Sequence, residues 1–191
     1  MFNPNFIGIY DKALPSSDCK DIIEWTETQS LQRGLTQSCD GEFLYDPKFK
    51  DSWDASGKFS NKNFVDLKIR HALNKYTPSY RRSYPTLDSL DPWIVYNHYN
   101  IQKYDPGGGY YMLHCENAGG RDDSKRVLAW MIYLNNVTDK GGTYFSSYNK
   151  TIKAKEGRLV IWPAYFTHPH KGVVSKTQTK YIATGWYNFV N

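Results

Sequence analysis

Cysteine is scarce in this chain. Cys19, Cys39 and Cys115 are the only three in 191 residues, an odd number at irregular spacing that supports no disulfide framework. A reducing, cytoplasmic setting fits (host cytoplasm for a phage-encoded protein), and it would also suit a metal that must stay reduced. Long apolar runs are absent as well. Nothing approaches the roughly 20 residues needed to cross a bilayer, so no membrane partner is expected. Met1-Phe2-Asn3-Pro4-Asn5 lacks a basic leader followed by an apolar segment, which argues against secretion. Long basic runs are missing too: none exceeds the pairs Arg81-Arg82 and Lys125-Arg126. Internal repeats and low-complexity segments are likewise absent, and the length suits one domain spanning 1–191.

The formal charge is +5, unevenly placed. Residues 1–90 hold 12 basic and 12 acidic side chains, which leaves 12 and 7 of the 24 and 19 for residues 91–191. An anionic small molecule would be drawn to that second half, and so would nucleic acid. A mildly basic, solvated surface accounts for the same numbers.

Aromatic residues are plentiful, at 16 Tyr, 9 Phe and 6 Trp, enough to build a bulky core. Residues 6–13 read as a short entry strand. Ser16-Ser17-Asp18 after Pro15 can cap a helix that turns Cys19, Ile22 and Ile23 inward and ends near Gln29 or Ser30. Residues 31–57 are polar and broken by Gly34, Gly41, Pro47 and Gly57, which predicts a long surface loop with at most a short strand at Phe43-Leu44-Tyr45. A second helix is expected after Asn63, with Phe64, Leu67, Ala72, Leu73 and Tyr76 towards a core and a stop before Pro78. From residue 92 the pattern changes to short strands separated by turns, from Trp93 to Tyr104, then the run carrying His114, then Val127 to Leu134, Thr143-Tyr144-Phe145, Leu159 to Trp162, Gly172-Val173-Val174 and Lys180 to Phe189. Seven or eight such strands behind two helices point to an all-β sandwich or barrel backed by helices.

The stretch Tyr104-Asp-Pro-Gly-Gly-Gly-Tyr-Tyr-Met-Leu-His-Cys-Glu116 carries the chemistry. On extended backbone alternate side chains share a face, so His114 and Glu116 point the same way and Cys115 the other. An imidazole and a carboxylate side by side make two thirds of the facial triad that holds non-haem Fe(II). His168 and His170 both offer the third ligand, and their equal parity leaves the choice open. His71 and His98 read as ordinary packed or surface histidines. Lys180, Ile182, Thr184 and Trp186 share one strand face. A lysine pointing inward there needs an anionic partner, unless its tip snorkels to water. Tyr133, near the end of its apolar strand, reads as a core tyrosine or as a second donor to that anion.

These pieces, followed in order by Met-Ile-Tyr-Leu-Asn, Gly-Gly-Thr-Tyr-Phe, Gly-Arg-Leu-Val-Ile-Trp-Pro, His170, Lys180 and Trp186, resemble the prolyl 4-hydroxylase-type Fe(II)/2-oxoglutarate dioxygenases. The likeness covers about residues 93–189 and suggests a short version of the catalytic domain, of the kind bacteria and their phages carry. It implies a mostly β fold with N-terminal helices, in which residues 1–90 form a helical support and loop region. Residues 91–191 would form a double-stranded β-helix (jelly-roll, cupin-like) catalytic core. It implies Fe(II) on His114, Glu116 and His170, the family spacing to the basic residue favouring His170 over His168. Lys180 would pair with the distal carboxylate of 2-oxoglutarate, Tyr133 would donate to it, and Thr184 would line the same pocket. Tyr104 would lie near the metal end of the cosubstrate, and Trp186 would wall the pocket. O2 is the implied oxidant, with ascorbate as an optional addition.

The family usually has His-x-Asp where this chain has His114-x-Glu116. A carboxylate is nonetheless kept, which argues against a halogenase, where its loss frees a position for halide. The implied activity is hydroxylation of a C–H bond, foremost of a prolyl residue in a peptide or protein, with 2-oxoglutarate decarboxylated to succinate. Loop 31–60 and Tyr80-Arg81-Arg82-Ser83-Tyr84 are candidate groove walls. The alternatives are a free amino acid or other small metabolite, a nucleobase substrate suggested by the basic half and the stacking aromatics, and a β-barrel binding module with no enzyme activity.

Overall fold

Alternation of side chains along the long strands divides the interior into two cores, one on each face of a single large sheet. The structure is a computed structural model describing residues 3–37, 42–60 and 62–190, so Cys39 and Gly41 lie outside the described residues. The chain begins with β1 (Gly8–Tyr10) and α1 (Ser16–Glu27), followed by the short strands β2 (Gln32–Arg33), β3 (Thr36–Gln37), β4 (Phe43–Leu44) and β5 (Lys50–Asp51). Then come β6 (Trp53–Lys58), α2 (Phe64–Ser83), β7 (Trp93–Tyr104), β8 (Gly109–Tyr110) and β9 (Arg126–Tyr133). The last part holds β10 (Thr143–Phe145), β11 (Lys150–Ile152), β12 (Leu159–Pro163), β13 (His170–Gly172) and β14 (Lys180–Phe189). No helix among the described residues is long and apolar enough to cross a membrane.

Seven strands pair in the order β1-β12-β9-β14-β7-β6-β2, every pair antiparallel. A second sheet, β11-β10-β13, has three. In β9, Leu128, Trp130 and Ile132 join one core while Ala129, Met131 and Tyr133 join the other. The same split separates Leu159 and Ile161 from Val160 and Trp162 in β12, and Ala183 from Ile182 in β14. The first core packs on the helices through Cys19, Ile22, Val65, Ile69, Ala72 and Leu73; the second contains Phe145 and Ile152 of the small sheet. The large sheet is therefore covered by helices on one side, and its other side faces the small sheet. Gly185 fits this packing because a Cβ there would stand 2.6 Å from the Trp130 ring.

The expected helices are present with altered ends. Ser16, Ser17 and Asp18 do not cap α1, which has no side-chain cap. Ser16 instead hydrogen-bonds Glu156, and Asp18 pairs with Lys68. Asn63 does cap α2, its Oδ1 accepting from the Val65 N–H at 2.9 Å. That helix continues through Pro78 to Ser83. Pro78 lacks an N–H and leaves the Asn74 carbonyl without its helical partner, but both residues are exposed, so water can serve that oxygen. The buried face is the expected one at Ala72, Leu73 and the partly buried Tyr76, and differs at the helix start. Val65, Ile69, Ala72, Leu73 and Tyr80 are buried, while Phe64 and Leu67 lie in solvent.

Residues 31–57 are more ordered than a loop. Five strands begin within them, and β6 is a full member of the large sheet, paired with β7 from Trp53↔Lys103 to Lys58↔His98. Its sequence, Trp-Asp-Ala-Ser-Gly-Lys, mixes charge with small residues because the strand lies near the sheet's edge, where only part of it is buried. The run after the glycine turn departs from expectation in the opposite sense. Only Gly109–Tyr110 is strand, and His114 forms an isolated bridge.

Candidate active site

The site begins at a tight turn. Gly108 N–H donates to the Asp105 carbonyl at 2.8 Å, with Pro106 second in the turn and Gly107 third at φ +90°. Proline presets the second position of such a turn, and the third needs the left-handed backbone that glycine adopts freely. The chain then pairs briefly with β5 and crosses to the small sheet. There His114 N–H donates to the His170 carbonyl at 3.0 Å and His170 N–H to the His114 carbonyl at 2.8 Å. Two residues on, the N–H groups of Glu116 and Asn117 both donate to the Ala164 carbonyl, at 3.0 and 2.8 Å. The segment belongs to no sheet and bends at Met112 and Glu116, yet it brings His114 and Glu116 to one side.

Ligand-type atoms of His114, Glu116 and His170 all lie within 4.8 Å of one another. Glu116 Oε1 is 3.2 Å from His170 Nε2 and 3.8 Å from His114 Nε2. Each ring donates its other N–H to a backbone carbonyl, His114 Nδ1 to Met112 and His170 Nδ1 to His168, both at 3.0 Å. Such bonds fix ring orientation and leave both Nε2 atoms as the ones a metal would use. The His114 ring stacks on Tyr110 at 3.9 Å, and the His170 ring packs against Phe145 and Trp162. Burial on its own would push the Glu116 carboxyl up. Its bonds to His114 and His170, with their charge, outweigh burial and hold it well below the usual carboxylate range. Two imidazoles and an ionised carboxylate are the donor set of an octahedral ion with open positions, so these residues fit Fe(II).

A cavity of about 420 Å³ opens from this cluster. Lys180, Ile182, Thr184 and Trp186 all line it, as their shared parity on β14 requires. Lys180 is 5% exposed. No described residue forms an ion pair with its ammonium, and burial pulls its pKa down to about 8. Its Nζ sits 4.5 Å from the centre of the Tyr104 ring, directly across the β7–β14 pairing. Tyr104 thus lies beside Lys180, its own hydroxyl donating to Gln102 Oε1 at 2.8 Å. Thr184 Oγ1 donates to the Trp130 carbonyl at 3.0 Å. Tyr133 stands behind the cavity wall, its hydroxyl 2.7 Å from Thr143 Oγ1, and it is Thr143 that reaches the lining.

His168 has a different place. Its Nε2 is 2.9 Å from the Asn5 carbonyl oxygen and its Nδ1 2.8 Å from Thr167 Oγ1, so it ties the N-terminal segment down. His71 and His98 are exposed. Of the suggested Tyr80–Tyr84 groove wall, Tyr80 and Tyr84 are buried in the helix-side core. Several contacts of the lining groups carried no local signal in the sequence. Arg126 donates from Nη1 to the Glu116 carbonyl at 2.7 Å, and the Trp186 indole N–H donates to Glu116 Oε2 at 2.7 Å. Lys50 lines the cavity as well, buried and paired with Asp54 at 2.6 Å. The indole contact joins positions 70 residues apart, so only the fold could reveal it.

The sequence pattern of the 2OG-Fe(II) oxygenase superfamily matches residues 99–188, the segment that holds the triad and Lys180. No curated protein matches the chain. Among solved structures, a viral collagen prolyl hydroxylase from Paramecium bursaria Chlorella virus-1, solved as a 2OG complex, superposes with a TM-score of 0.70 at 18% identity, covering 97% of each chain. A Pseudomonas putida prolyl-4-hydroxylase gives 0.69 at 15% identity, covering 95% of this chain and 92% of the other. A Trichoplax adhaerens prolyl hydroxylase, in complex with a hypoxia inducible factor oxygen degradation domain peptide fragment, gives 0.70 at 17%, covering 98% and 85%. The protein is a 2-oxoglutarate-dependent Fe(II) dioxygenase, an enzyme that uses Fe(II), 2-oxoglutarate and O2. It shares its fold with these prolyl hydroxylases.

Proposed function

We propose that this enzyme hydroxylates a prolyl residue in a peptide or protein, with decarboxylation of 2-oxoglutarate to succinate. The observation that carries this reading is the pairing of a His-Glu-His cluster with a buried lysine that has no ion-pair partner among the described residues, in one cavity. In this reading the large and small sheets are the two halves of a double-stranded β-helix, and residues 1–191 form one domain.

His114, Glu116 and His170 would hold Fe(II) on one face and leave the cavity side open. When bound, Fe(II) and 2-oxoglutarate supply the oxidation, in which one oxygen of O2 enters the product and the other enters succinate as CO2 leaves. The chain's own residues bind and orient. Lys180 meets the distal carboxylate, with the Tyr104 ring under its ammonium and the Thr143 hydroxyl nearby, buttressed by Tyr133. Thr184 and Ile182 fill the wall between the two ends. Trp162 and Phe145 pack behind His170 and exclude water from the metal side.

The peptide assignment is supported by the bound peptide fragment of the Trichoplax relative and by the cavity mouth. There Leu35, Phe43 and Met112 line the opening and are 49%, 65% and 42% exposed, apolar surface suited to a proline-containing segment. To test it, Pro-rich peptides are incubated with Fe(II), 2-oxoglutarate and O2, and the peptide mass and succinate are both followed. The expected result is a gain of one oxygen on proline, matched by succinate. Succinate release with no peptide oxidised across a broad Pro-containing library would contradict the substrate class and leave the dioxygenase intact.

A further inference from the structure

We propose that Trp186 and Arg126 form a clamp that makes this site fit glutamate, and not aspartate, as its metal-binding carboxylate. The proposal rests on the reading of His114, Glu116 and His170 as metal ligands. Trp186 Nε1–H donates to Glu116 Oε2 at 2.7 Å. The Arg126 guanidinium lies over the indole, 3.9 Å from its ring centre, with Nη1 also 3.9 Å from Oε2. Its Nη1 donates to the Glu116 carbonyl at 2.7 Å, and its Nη2 pairs with Asp123 at 2.7 Å. Oε2 is therefore held, and Oε1 is the oxygen presented to the two imidazoles.

The frame around this carboxylate is fixed from both sides. The Ala164 carbonyl holds the backbone at Glu116 and Asn117, and Trp186 is set by its strand pairing with Ala129. Between those anchors the side chain must span a set length. Aspartate is shorter by one methylene, about 1.5 Å of C–C bond, and could not reach the indole and the metal position together. A free glutamate would have one more rotatable bond than aspartate, and the clamp removes that freedom. Trp186 and Arg126 act through Glu116, so they are positioning residues.

The test is an anaerobic calorimetric titration with Fe(II), and separately with Co(II), on the wild type, Trp186→Phe, Glu116→Asp and the double variant, with the melting midpoint of each metal-free protein as a folding control. Outer-shell partners are worth about 10–100-fold in metal affinity, and Trp186→Phe is expected to lose an amount in that range. Glu116→Asp, although it restores the usual family carboxylate, is expected to weaken binding also, and the double variant to bind no more weakly than Glu116→Asp alone. Arg126→Lys keeps the charge but loses the stack, and should weaken metal binding several-fold. Equal or tighter binding by Glu116→Asp overturns the clamp, as does a Trp186→Phe loss that is undiminished in the aspartate background. If a Trp186 variant fails to fold, Glu116→Asp decides alone. A wild type that binds neither metal would overturn the ligand reading and the clamp with it. A wild type that binds, with Trp186→Phe equal to it, overturns the clamp only.

Discussion

The Lys180 ammonium is buried, faces the cavity and has no ion-pair partner among the described residues, so its charge is held at a cost that an anionic ligand would remove. Burial lowers its pKa from the ordinary 10.5 to about 8. Between those values the unfolded chain keeps a proton that the folded free enzyme has released. Stability of the ligand-free protein should therefore gain from this group as pH rises from about 8 towards 10.5. Binding of 2-oxoglutarate in the proposed pairing has the opposite sign, because it would need the ammonium. Apparent affinity is expected to fall as pH rises above about 8, measured by the Kd for 2-oxoglutarate across the alkaline range; a flat profile would contradict the pairing. Lys180→Ala should weaken binding by about 2–5 kcal/mol, the loss typical when one partner of a buried charge pair is removed. His114 and Glu116 could be placed from spacing because the chain, although it bends at Glu116 and joins no sheet, still leaves the two side chains on one side. His168 and His170 could not be separated by parity, since the difference lies in which backbone meets His114 and which ring reaches Asn5.

At the scale of elements, apolar strands such as β9, β12 and β14 were legible because both of their faces are buried. The strands before α2 were not, because polar strands near a sheet's edge, such as β6, carry the same composition as loops. The face of α2 was legible at Ala72 and Leu73 but not at its start, where Phe64 and Leu67 are in solvent and Val65 and Ile69 are buried instead. Leu73→Ala is expected to cost about 2–5 kcal/mol of stability by opening a cavity, whereas Leu67→Ala should stay within about 0.5 kcal/mol. Denaturant unfolding of the two variants checks this; equal losses would mean that the helix packs through a different face.

Across the whole molecule, the helices brace one side of the large sheet so that its other side, with the small sheet, can enclose the cavity. That arrangement gathers His114, Glu116, His170 and Lys180 from three separate stretches of chain: the crossing after β8, β13 and β14. The order of these stretches is what made the family legible. The substrate was not, because the mouth is built from exposed side chains such as Phe43 and Met112 that no periodicity constrains. The most direct test of the central claim is an anaerobic titration of Fe(II) with 2-oxoglutarate, followed by its weak visible charge-transfer band. The account predicts a band in the wild type that is lost in His114→Ala and His170→Ala and kept in His168→Ala variants that fold. A wild type with no band, or a band indifferent to His114 and His170, would contradict it.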